Sequence, residues 1–364
     1  MNRAPVLIMA GGTGGHVFPA LVIAEALRNL DRQVVWLGTA KGIENRLVPA
    51  AGFPLERIRV TGLRRKGLLS WLLAPFKLLA AEWDALRVVR RCRPGVVLGM
   101  GGFAAGPGGL AAWLLRRPLV IHEQNAAAGL TNRLLAGFAR EVLQAFPGSF
   151  SPATEARTVG NPVRAEILAV SKPELRFADR PSTDSSLRVL VLGGSQGALA
   201  LNRTVPAAAA LIADRAQLDI WHQTGEATHA DAVQSYQQNA IQARADKFIT
   251  DMAEAYSWAD VVVCRSGALT VSELAAAGVG SVLVPYPASV DNHQTLNAMF
   301  LVDAGAAVLI PQDQLTPQRL GEELLICASD RQLLLDRANR ARELAPQQAT
   351  DKLVAACLAL EQPA

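Results

Sequence analysis

"VLIMAGGTGGHVFPALVIAEAL" (residues 6–27) joins an apolar run to an amphipathic one through a cluster of glycines. Its apolar beginning predicts a short buried strand, and "FPALVIAEAL" has helical spacing, with Pro19 near the first turn, where proline is tolerated. The glycines between them predict a tight turn from strand to helix. Because such a turn offers backbone N–H groups and a helix N-terminus to an anion, the stretch indicates an α/β protein with a ligand site.

The same plan occurs a second time in the chain. "LRVLVLGGSQGALALNRTV" (187–205) again runs from an apolar strand through a glycine turn into a helix. The matching positions, each pair 182 residues apart, are Gly11 and Gly193, Gly12 and Gly194, Thr13 and Ser195, and Gly15 and Gly197. Since that offset is half the chain, we expect two similar α/β domains in tandem.

Apolar runs alternate with helical patterns throughout, which predicts parallel sheets. Strands are predicted at 6–10, 33–38, 55–60, 96–99, 119–122, 141–145, 187–192, 219–223, 247–249, 261–264, 281–285 and 307–310. The Pro-rich stretch 147–167 is the predicted inter-domain link, and 171–186 is predicted to be a loose surface loop. We expect domains at 1–162 and 163–345, with a C-terminal helix within 346–364 that packs back on the first domain.

Composition and charge narrow the function. The 364 residues suffice for two domains. Residues 1–162 hold 20 basic and 9 acidic side chains and the remainder 16 and 23, so the first half is expected to face an anionic partner. No signal peptide or membrane-spanning run is visible, and four scattered cysteines indicate reduced thiols in a cytosolic protein. An aromatic content of 5% without a stacking pattern argues against nucleic acid.

The first glycine turn does not fit a dinucleotide site. "GGTGGH" lacks the GxGxxG spacing, and the following strand "VVWLG" ends without an acid for a ribose. His16 lies just past this turn, at the carboxyl end of a predicted parallel strand, where open α/β sheets bind ligands. We therefore predict that His16 is a general base or a substrate contact, the alternative being a structural histidine.

Two further strand ends carry polar groups. "LVIHEQN" (119–125) ends in four polar residues, which either cap the next helix or bind sugar hydroxyls. In "CRSGALTVSELAAAG" (264–278), Glu273 either stabilises a helix dipole or accepts hydrogen bonds from a ribose diol. No DxD occurs, so a metal-bridged diphosphate is not indicated, and a leaving diphosphate would depend on helix N-termini, hydroxyls and an arginine.

"GLRRKGLLSWLLAPFKLLAAEW" (62–83) is basic at its start and then rich in Leu, Trp and Phe. It is either an ordinary amphipathic helix buried in the first domain or a surface segment that enters the headgroup region of an anionic membrane. The predicted membrane contacts are Leu69, Trp71, Leu72, Phe76 and Lys77.

Eight stretches together resemble the MurG family of glycosyltransferases. They are "GGTGGHVFPA", "VVWLGT", "VLGMGGFAAGPGGLAAW", "HEQNAAAGLTNR", "VGNPVR", "VLGGSQGALALN", "VVVCRSGALTVSELAAAG" and "DNHQTLNA", in the family's order from residue 11 to about 300. The resemblance implies a GT-B fold, in which two Rossmann-like domains face each other across a cleft. It also implies inverting transfer of GlcNAc from UDP-GlcNAc to the C4 hydroxyl of MurNAc in undecaprenyl-linked lipid I, without a cofactor or metal.

The resemblance also assigns roles by motif. His16 resembles the family's proposed base or acceptor contact, and Glu273 the ribose ligand. The implied substrate-binding residues are Thr13, Gly14, Gly15, Asn125, Arg164, Ser195, Ile249, Ala268, Leu269, Thr270, Val271, Ser272, Glu273 and Gln294. His293 stands where other members carry Gln and is left out. The implied location is the cytoplasmic face of the bacterial plasma membrane, as a peripheral protein.

Two other functions remain open from the sequence. A UDP-GlcNAc 2-epimerase shares the GT-B plan but needs neither a lipid acceptor nor a basic apolar segment. A non-catalytic basic binding module would use the charge of the first half alone.

Overall fold

The computed structural model describes residues 3–60, 74–180, 186–194 and 197–362. By its internal contacts the chain divides into two units. Unit 1 comprises Met1–Val163 and Pro346–Ala364, and unit 2 comprises Arg164–Ala345.

Unit 1 is built on a seven-stranded parallel sheet with strand order β3-β2-β1-β4-β5-β6-β7. Its strands are β1 (Val6–Met9), β2 (Val34–Thr39), β3 (Leu55–Ile58), β4 (Val96–Gly99), β5 (Leu119–Glu123), β6 (Glu141–Gln144) and β7 (Arg157–Thr158). The described helices of its N-terminal part are α1 (Gly14–Asn29), α2 (Glu44–Ala50), α3 (Ala74–Cys92), α4 (Ala105–Leu114) and α5 (Leu130–Ala136).

Strand β1 lies in the middle of this sheet because it is apolar on both faces. Val6 and Ile8 pack into one core with α1, while Leu7 and Met9 pack into a second core on the opposite face. Parallel sheets covered by helices on both sides need such continuous apolar strands. The central position places the glycine turn after β1 between the loops that follow β2 and β4.

Unit 2 repeats the plan with a six-stranded parallel sheet of order β10-β9-β8-β11-β12-β13. Its strands are β8 (Leu187–Leu192), β9 (Leu218–Gln223), β10 (Arg244–Asp246), β11 (Val261–Cys264), β12 (Gly280–Leu283) and β13 (Ala307–Leu309). Its helices are α6 (Ala165–Leu168), α7 (Pro173–Ala178), α8 (Leu199–Leu211), α9 (His229–Gln238), α10 (Met252–Trp258), α11 (Ala268–Ala277), α12 (His293–Val302), α13 (Pro317–Ser329) and α14 (Arg331–Glu343).

The last helix, α15 (Ala349–Ala359), belongs to unit 1. Leu353 and Cys357 are fully buried in the core that also holds α1. Beyond this helix, the Glu361 carboxylate pairs with the buried guanidinium of Arg32. The C-terminal segment therefore completes the first core.

Two expectations from the sequence are wrong. The strand predicted at 247–249 lies at Arg244–Asp246 instead. Its residues are polar because it is an edge strand, in which Arg244 stacks on Trp221 of β9, and the Trp221 indole donates to Asp246 at 2.7 Å. An apolar run is therefore no guide to its position.

The chain passes from unit 1 to unit 2 after Val163, within the predicted link 147–167, of which Arg157–Thr158 also form strand β7 of unit 1. The predicted surface loop is structured as well. The predicted surface loop 171–186 contains α7, and residues 181–185 of it lie outside the described part of the chain. Arg176 of this helix donates hydrogen bonds to the carbonyls of Tyr256, Ala277 and Gly278, which fixes the helix to unit 2.

Candidate functional site

The first glycine turn connects β1 to α1 at the carboxyl edge of the sheet. Gly12 has a φ of +91°, which a residue with a side chain rarely adopts. Helix α1 begins directly at Gly14, and Thr13 at its N-cap is exposed. Gly102, after β4, lies so close to the backbone of Gly11 that a methyl group there would collide with it. The turns after β1 and β4 therefore pack against each other as bare backbone.

The buried carboxylate of Glu44 binds the backbone of the first glycine turn. Glu44, the first residue of α2, has no exposed surface. Its Oε2 accepts the Gly12 N–H at 2.9 Å, and its Oε1 accepts the N–H and the hydroxyl of Thr39 at 2.9 and 2.7 Å. Because hydrogen bonds to a carboxylate are among the strong ones, Glu44 ties the turn after β1 to the end of β2.

His16 lies at the carboxyl edge of the sheet, as predicted, and belongs to the first turn of α1, which begins earlier than the sequence suggested. Its Nδ1 is 3.2 Å from the Thr13 hydroxyl, so the N-cap side chain orients the imidazole. The ring also packs against the turn after β4, since a methyl group on Gly101 would collide with its Nε2 edge. The half-buried imidazole is thus held by two turns at the carboxyl edge of the sheet.

The polar loop after β5 is organised by Glu123. Its Oε1 accepts the backbone and side-chain N–H groups of Asn125, both at 3.0 Å, and its Oε2 accepts from Asn132 at 2.9 Å and from the Gly129 N–H at 3.1 Å. Asn125 is half-buried, whereas Glu123 is 3% exposed. The loop therefore presents Asn125 from a rigid support.

The two remaining polar residues of this loop face inward. His122 is fully buried, and its Nε2 donates to the Gly160 carbonyl at 3.0 Å, while its Nδ1 accepts from the Gln124 amide at 3.1 Å. Burial lowers the pKa of His122 to about 4, so its imidazole is neutral at physiological pH. Of the four polar residues in "HEQN", only Asn125 is accessible to a ligand.

The second glycine turn, after β8, has a different structure from the first. Gly194 has a φ of +78°, matching Gly12, but α8 begins only at Leu199. The Gly193 N–H donates to the Gln223 carbonyl at 3.0 Å, and the Gly197 N–H donates to the Gly194 carbonyl at 3.1 Å. Ser195, the predicted phosphate contact, lies outside the described residues.

Glu273 lies in α11 with both carboxylate oxygens engaged. Arg164 donates to its Oε1 and the Tyr256 hydroxyl donates to its Oε2, each at 3.1 Å. Burial raises the pKa of this carboxyl, while the interactions with Arg164 and Tyr256 oppose the shift. Each oxygen still has a lone pair available, so the carboxylate can accept hydrogen bonds from a diol.

The start of α11 brings some predicted residues to the surface and hides others. Leu269 and Thr270 are half-buried, and Ala268 is 7% exposed. Val271 is fully buried, and the Ser272 hydroxyl donates to the Ala268 carbonyl at 3.0 Å. The side chains of Val271 and Ser272 therefore do not face a ligand.

Ile249 and Gln294, which are also predicted to contact the sugar nucleotide, form hydrogen bonds that fix loops of unit 2. The backbone N–H of the buried Ile249 donates to the Gln223 side chain at 3.0 Å. Gln294, in the first turn of α12, accepts the Tyr286 N–H at 2.8 Å through its Oε1. This bond leaves the amide NH₂ of Gln294 directed away from that backbone group and able to donate.

The sequence analysis missed Glu44 and Tyr256. Glu44 lies 32 residues from Gly12 in a stretch without an unusual pattern. Tyr256 lies 17 residues before Glu273, where an isolated tyrosine suggests only core packing. Within the described residues, no group of three or more His, Cys, Asp or Glu side chains could hold a metal ion. The same residues contain no helix long and apolar enough to cross a membrane.

Two parallel, doubly wound units with glycine turns at their carboxyl edges have the architecture of the GT-B class of glycosyltransferases. The family models that match are the glycosyltransferase family 28 N-terminal domain, over residues 6–144, and its C-terminal domain, over residues 188–354. The chain belongs to glycosyltransferase family 28 and, by the full-length similarities described next, to its MurG family.

Similar proteins match over nearly the whole chain. A relative from Nitrosococcus oceani, named UDP-N-acetylglucosamine–N-acetylmuramyl-(pentapeptide) pyrophosphoryl-undecaprenol N-acetylglucosamine transferase, is 53% identical over 97% of this chain and 98% of its own. A relative of the same name from Alkalilimnicola ehrlichii is 55% identical over the same shares. The crystal structure of Acinetobacter baumannii MurG has 40% identity and a TM-score of 0.85, covering 98% of this chain and 99% of that chain.

A proposed UDP-N-acetylglucosamine 2-epimerase from Listeria monocytogenes is similar in fold alone. It has 13% identity and a TM-score of 0.66, covering 98% of this chain and 96% of that chain.

Proposed function

We propose that this protein transfers N-acetylglucosamine from UDP-N-acetylglucosamine to the C4 hydroxyl of the N-acetylmuramyl group in a pentapeptide-bearing pyrophosphoryl-undecaprenol lipid, forming a β-1,4 link. The observation that carries the proposal is the match to relatives of this name, at 53% and 55% identity over 97% of the chain. The polar groups at the sheet edges supply the chemistry that this transfer requires.

Unit 2 binds the nucleotide sugar. Glu273, held by Arg164 and Tyr256, accepts hydrogen bonds from the ribose diol. Ile249 and the start of α11, from Ala268 to Thr270, form the wall for the uracil and sugar. Gln294 binds sugar hydroxyls, and the N-terminus of α8, which follows the glycine turn after β8, faces the diphosphate, with Ser195 and Arg164 as further phosphate contacts.

Unit 1 contributes the proton acceptor and the acceptor-side contacts. His16 takes the proton from the C4 hydroxyl, and the resulting oxygen nucleophile forms a bond to the anomeric carbon. The bond from that carbon to the β-phosphate oxygen breaks, UDP carries away the electron pair, and the configuration inverts. Thr13 orients the His16 ring, the backbone at Gly14 and Gly15 lies beside the donor sugar, and Asn125 contacts the sugar.

Transfer is tested with radiolabelled UDP-N-acetylglucosamine and a short-chain analogue of the lipid acceptor. We expect a labelled disaccharide lipid that requires the acceptor and whose formation is unchanged by EDTA, since side chains and backbone N–H groups bind the diphosphate. Formation of the 2-epimer from the nucleotide sugar alone, without transfer, would instead establish the epimerase function.

We also propose that unit 1 binds an anionic membrane surface. Phe76 and Leu79 of α3 are 71% and 67% exposed, and Leu130 and Leu134 of α5 are 59% and 64% exposed. Since α3 packs on α4 and α4 on α5, neighbouring helices share this exposed apolar character. Trp113 at the end of α4 packs its ring against that of Phe138, with the centroids 4.9 Å apart and the planes tilted by 54°, and is itself half-exposed.

Basic side chains accompany these apolar ones. Lys77 is exposed beside Phe76, and Arg87 lies over the ring of Trp83. The described part of the segment 62–83 thus exposes Phe76 rather than burying it, which favours the membrane hypothesis over a buried helix. Leu69, Trp71 and Leu72 lie outside the described residues. Apolar groups flanked by Lys and Arg are suited to an anionic lipid headgroup region.

Vesicle binding tests this second proposal. Burying one leucine side chain contributes roughly 1.5–3 kcal/mol, so the double change Leu130→Ser and Leu134→Ser should weaken binding to phosphatidylglycerol vesicles by at least about tenfold. The control is Leu211→Ser in unit 2, a leucine that is also half-exposed. Unchanged vesicle affinity of the double variant would contradict the proposal, whereas its affinity for UDP-N-acetylglucosamine should be unaltered.

A further inference from the structure

The buried carboxylate of Glu44 requires an explanation beyond folding. A fully buried ionised group is costly unless its hydrogen bonds are satisfied, and Glu44 makes no ion pair with any described residue. Its three hydrogen bonds all come from the ends of β1 and β2, through Gly12 and Thr39. The carboxylate is therefore located between the first glycine turn and the end of β2.

The surrounding backbone is shaped to admit this side chain. A methyl group on Gly11, Gly38 or Gly42 would collide with the Glu44 side chain. Three glycines on two different segments thus leave room for one carboxylate. Packing alone would be satisfied by an apolar side chain with ordinary residues around it.

The hydrogen bond to Gly12 has a direct consequence for the turn. In a strand–glycine–helix turn, the free N–H groups are the donors that a phosphate would use. Here the Gly12 N–H donates to Glu44, so a carboxylate of the protein itself takes the hydrogen bond that a bound phosphate would accept. The negative charge also disfavours a diphosphate at this turn.

The same bond fixes the residues that follow. Gly12 leads into Thr13 at the N-cap of α1, and the Thr13 hydroxyl lies 3.2 Å from Nδ1 of His16. We propose that Glu44 is a positioning residue for the transfer reaction: by holding Gly12, it sets the Thr13 hydroxyl and through it the imidazole of His16. This inference rests on the proposed function of His16 as proton acceptor.

The test combines two substitutions with a matched control. Glu44→Gln keeps the size of the side chain but removes the charge, and its amide cannot accept both sets of hydrogen bonds. We expect kcat to fall about 10- to 100-fold, because a displacement of about 1 Å can have that effect, while KM for UDP-N-acetylglucosamine stays within about twofold. Glu25→Gln, on the exposed side of the same helix as His16, should leave both constants unchanged.

The double variant decides whether Glu44 acts through His16. In a His16→Ala background, Glu44→Gln should lower kcat no further, because the group that it positions is gone. An equal loss of kcat in both backgrounds, or an unchanged kcat in Glu44→Gln, would overturn the proposal. If Glu44→Gln does not fold, Thr39→Val removes one donor to the carboxylate and should show a smaller loss with the same dependence on His16.

Hydrogen exchange separates failure of this inference from failure of the proposed function. The Gly12 amide should exchange at least about tenfold faster in Glu44→Gln than in Glu25→Gln, whatever reaction the protein catalyses. Faster exchange without transfer activity in the wild-type protein would contradict the proposed function alone. Unchanged exchange at Gly12 would overturn the role of Glu44 itself.

Discussion

The two glycine turns have the same sequence pattern but different structures. After β1, Gly12 is bonded to the carboxylate of Glu44, and the helix begins at Gly14. After β8, the described N–H groups of Gly193 and Gly197 bond to neutral carbonyls, and the helix begins only at Leu199. A repeated glycine turn thus serves two different tasks in this chain. The carboxylate bonded to Gly12 disfavours a diphosphate at the first turn, whereas Gly193 and Gly197 of the second turn bond to neutral carbonyls and lead into the N-terminus of α8, which suits a diphosphate.

The largest expected effect is at the first turn. Replacing His16 with Ala should lower kcat by about 10²- to 10⁴-fold at saturating substrates, the usual loss when a general base is removed. Steady-state rates with the lipid acceptor analogue provide the measurement. A kcat close to that of the wild type would contradict the assignment of His16 as the general base.

Each unit has a buried neutral histidine in its sheet, His122 in unit 1 and His222 in unit 2. Burial lowers the pKa of His222 to about 3, from an ordinary value of 6.5. Below pH 6.5 the unfolded chain therefore binds a proton that the folded chain refuses, so stability falls as the pH falls from about 6.5 towards 3. At pH 5 this group alone should lower the free energy of unfolding by about 2 kcal/mol.

Urea unfolding at pH 7 and pH 5 measures this effect in the wild-type protein and in His222→Gln. The variant should lose less stability on acidification, even if it is less stable at pH 7, since it lacks the group that titrates. His229→Gln is the control, because it changes a histidine of the same unit. Equal acid sensitivity of the wild type and His222→Gln would contradict the prediction.

The smallest expected effect comes from placing a negative charge beside the second glycine turn, as Glu44 places one beside the first. Gln223 accepts the Ile249 N–H through its side chain and the Gly193 N–H through its backbone carbonyl, so it borders the second turn. Gln223→Glu keeps the acceptor and adds a negative charge there. We expect KM for UDP-N-acetylglucosamine to rise about tenfold and kcat to change little, because the charge repels the diphosphate at binding. A lower kcat with an unchanged KM would contradict the assignment of diphosphate binding to the second turn.

Much of the fold could be predicted because apolar periodicity determines which segments lie in a parallel sheet. Strands such as β1 and β8 are apolar on both faces and stand out in the sequence. The edge strand β10 was placed wrongly because its stability depends on a stacked Arg244 and Trp221 rather than on an apolar run. Helix α7 was missed because carbonyls from distant parts of the chain hold Arg176.

The site was predictable only to the extent that its residues lie in the turns themselves. Asn125 lies in the turn after β5, and His16 and Glu273 lie in the helices that follow the turns after β1 and β11, so the sequence indicates all three. Glu44 and Tyr256 support those turns from other elements, and only tertiary structure brings them into contact. The sequence likewise could not show that Val271 and Ser272 face inward, since one residue of helical rotation decides this.

In this mechanism the first turn holds the proton acceptor, and unit 2 holds the nucleotide of the donor. The decisive measurement of this division is the dissociation constant of UDP-N-acetylglucosamine, obtained by calorimetry for the wild type and for His16→Ala. We expect the two dissociation constants to lie within about twofold of each other, although the variant has lost most of its kcat. A dissociation constant that rises at least about tenfold in His16→Ala would contradict this division, because the His16 imidazole would then bind the donor in addition to accepting the proton.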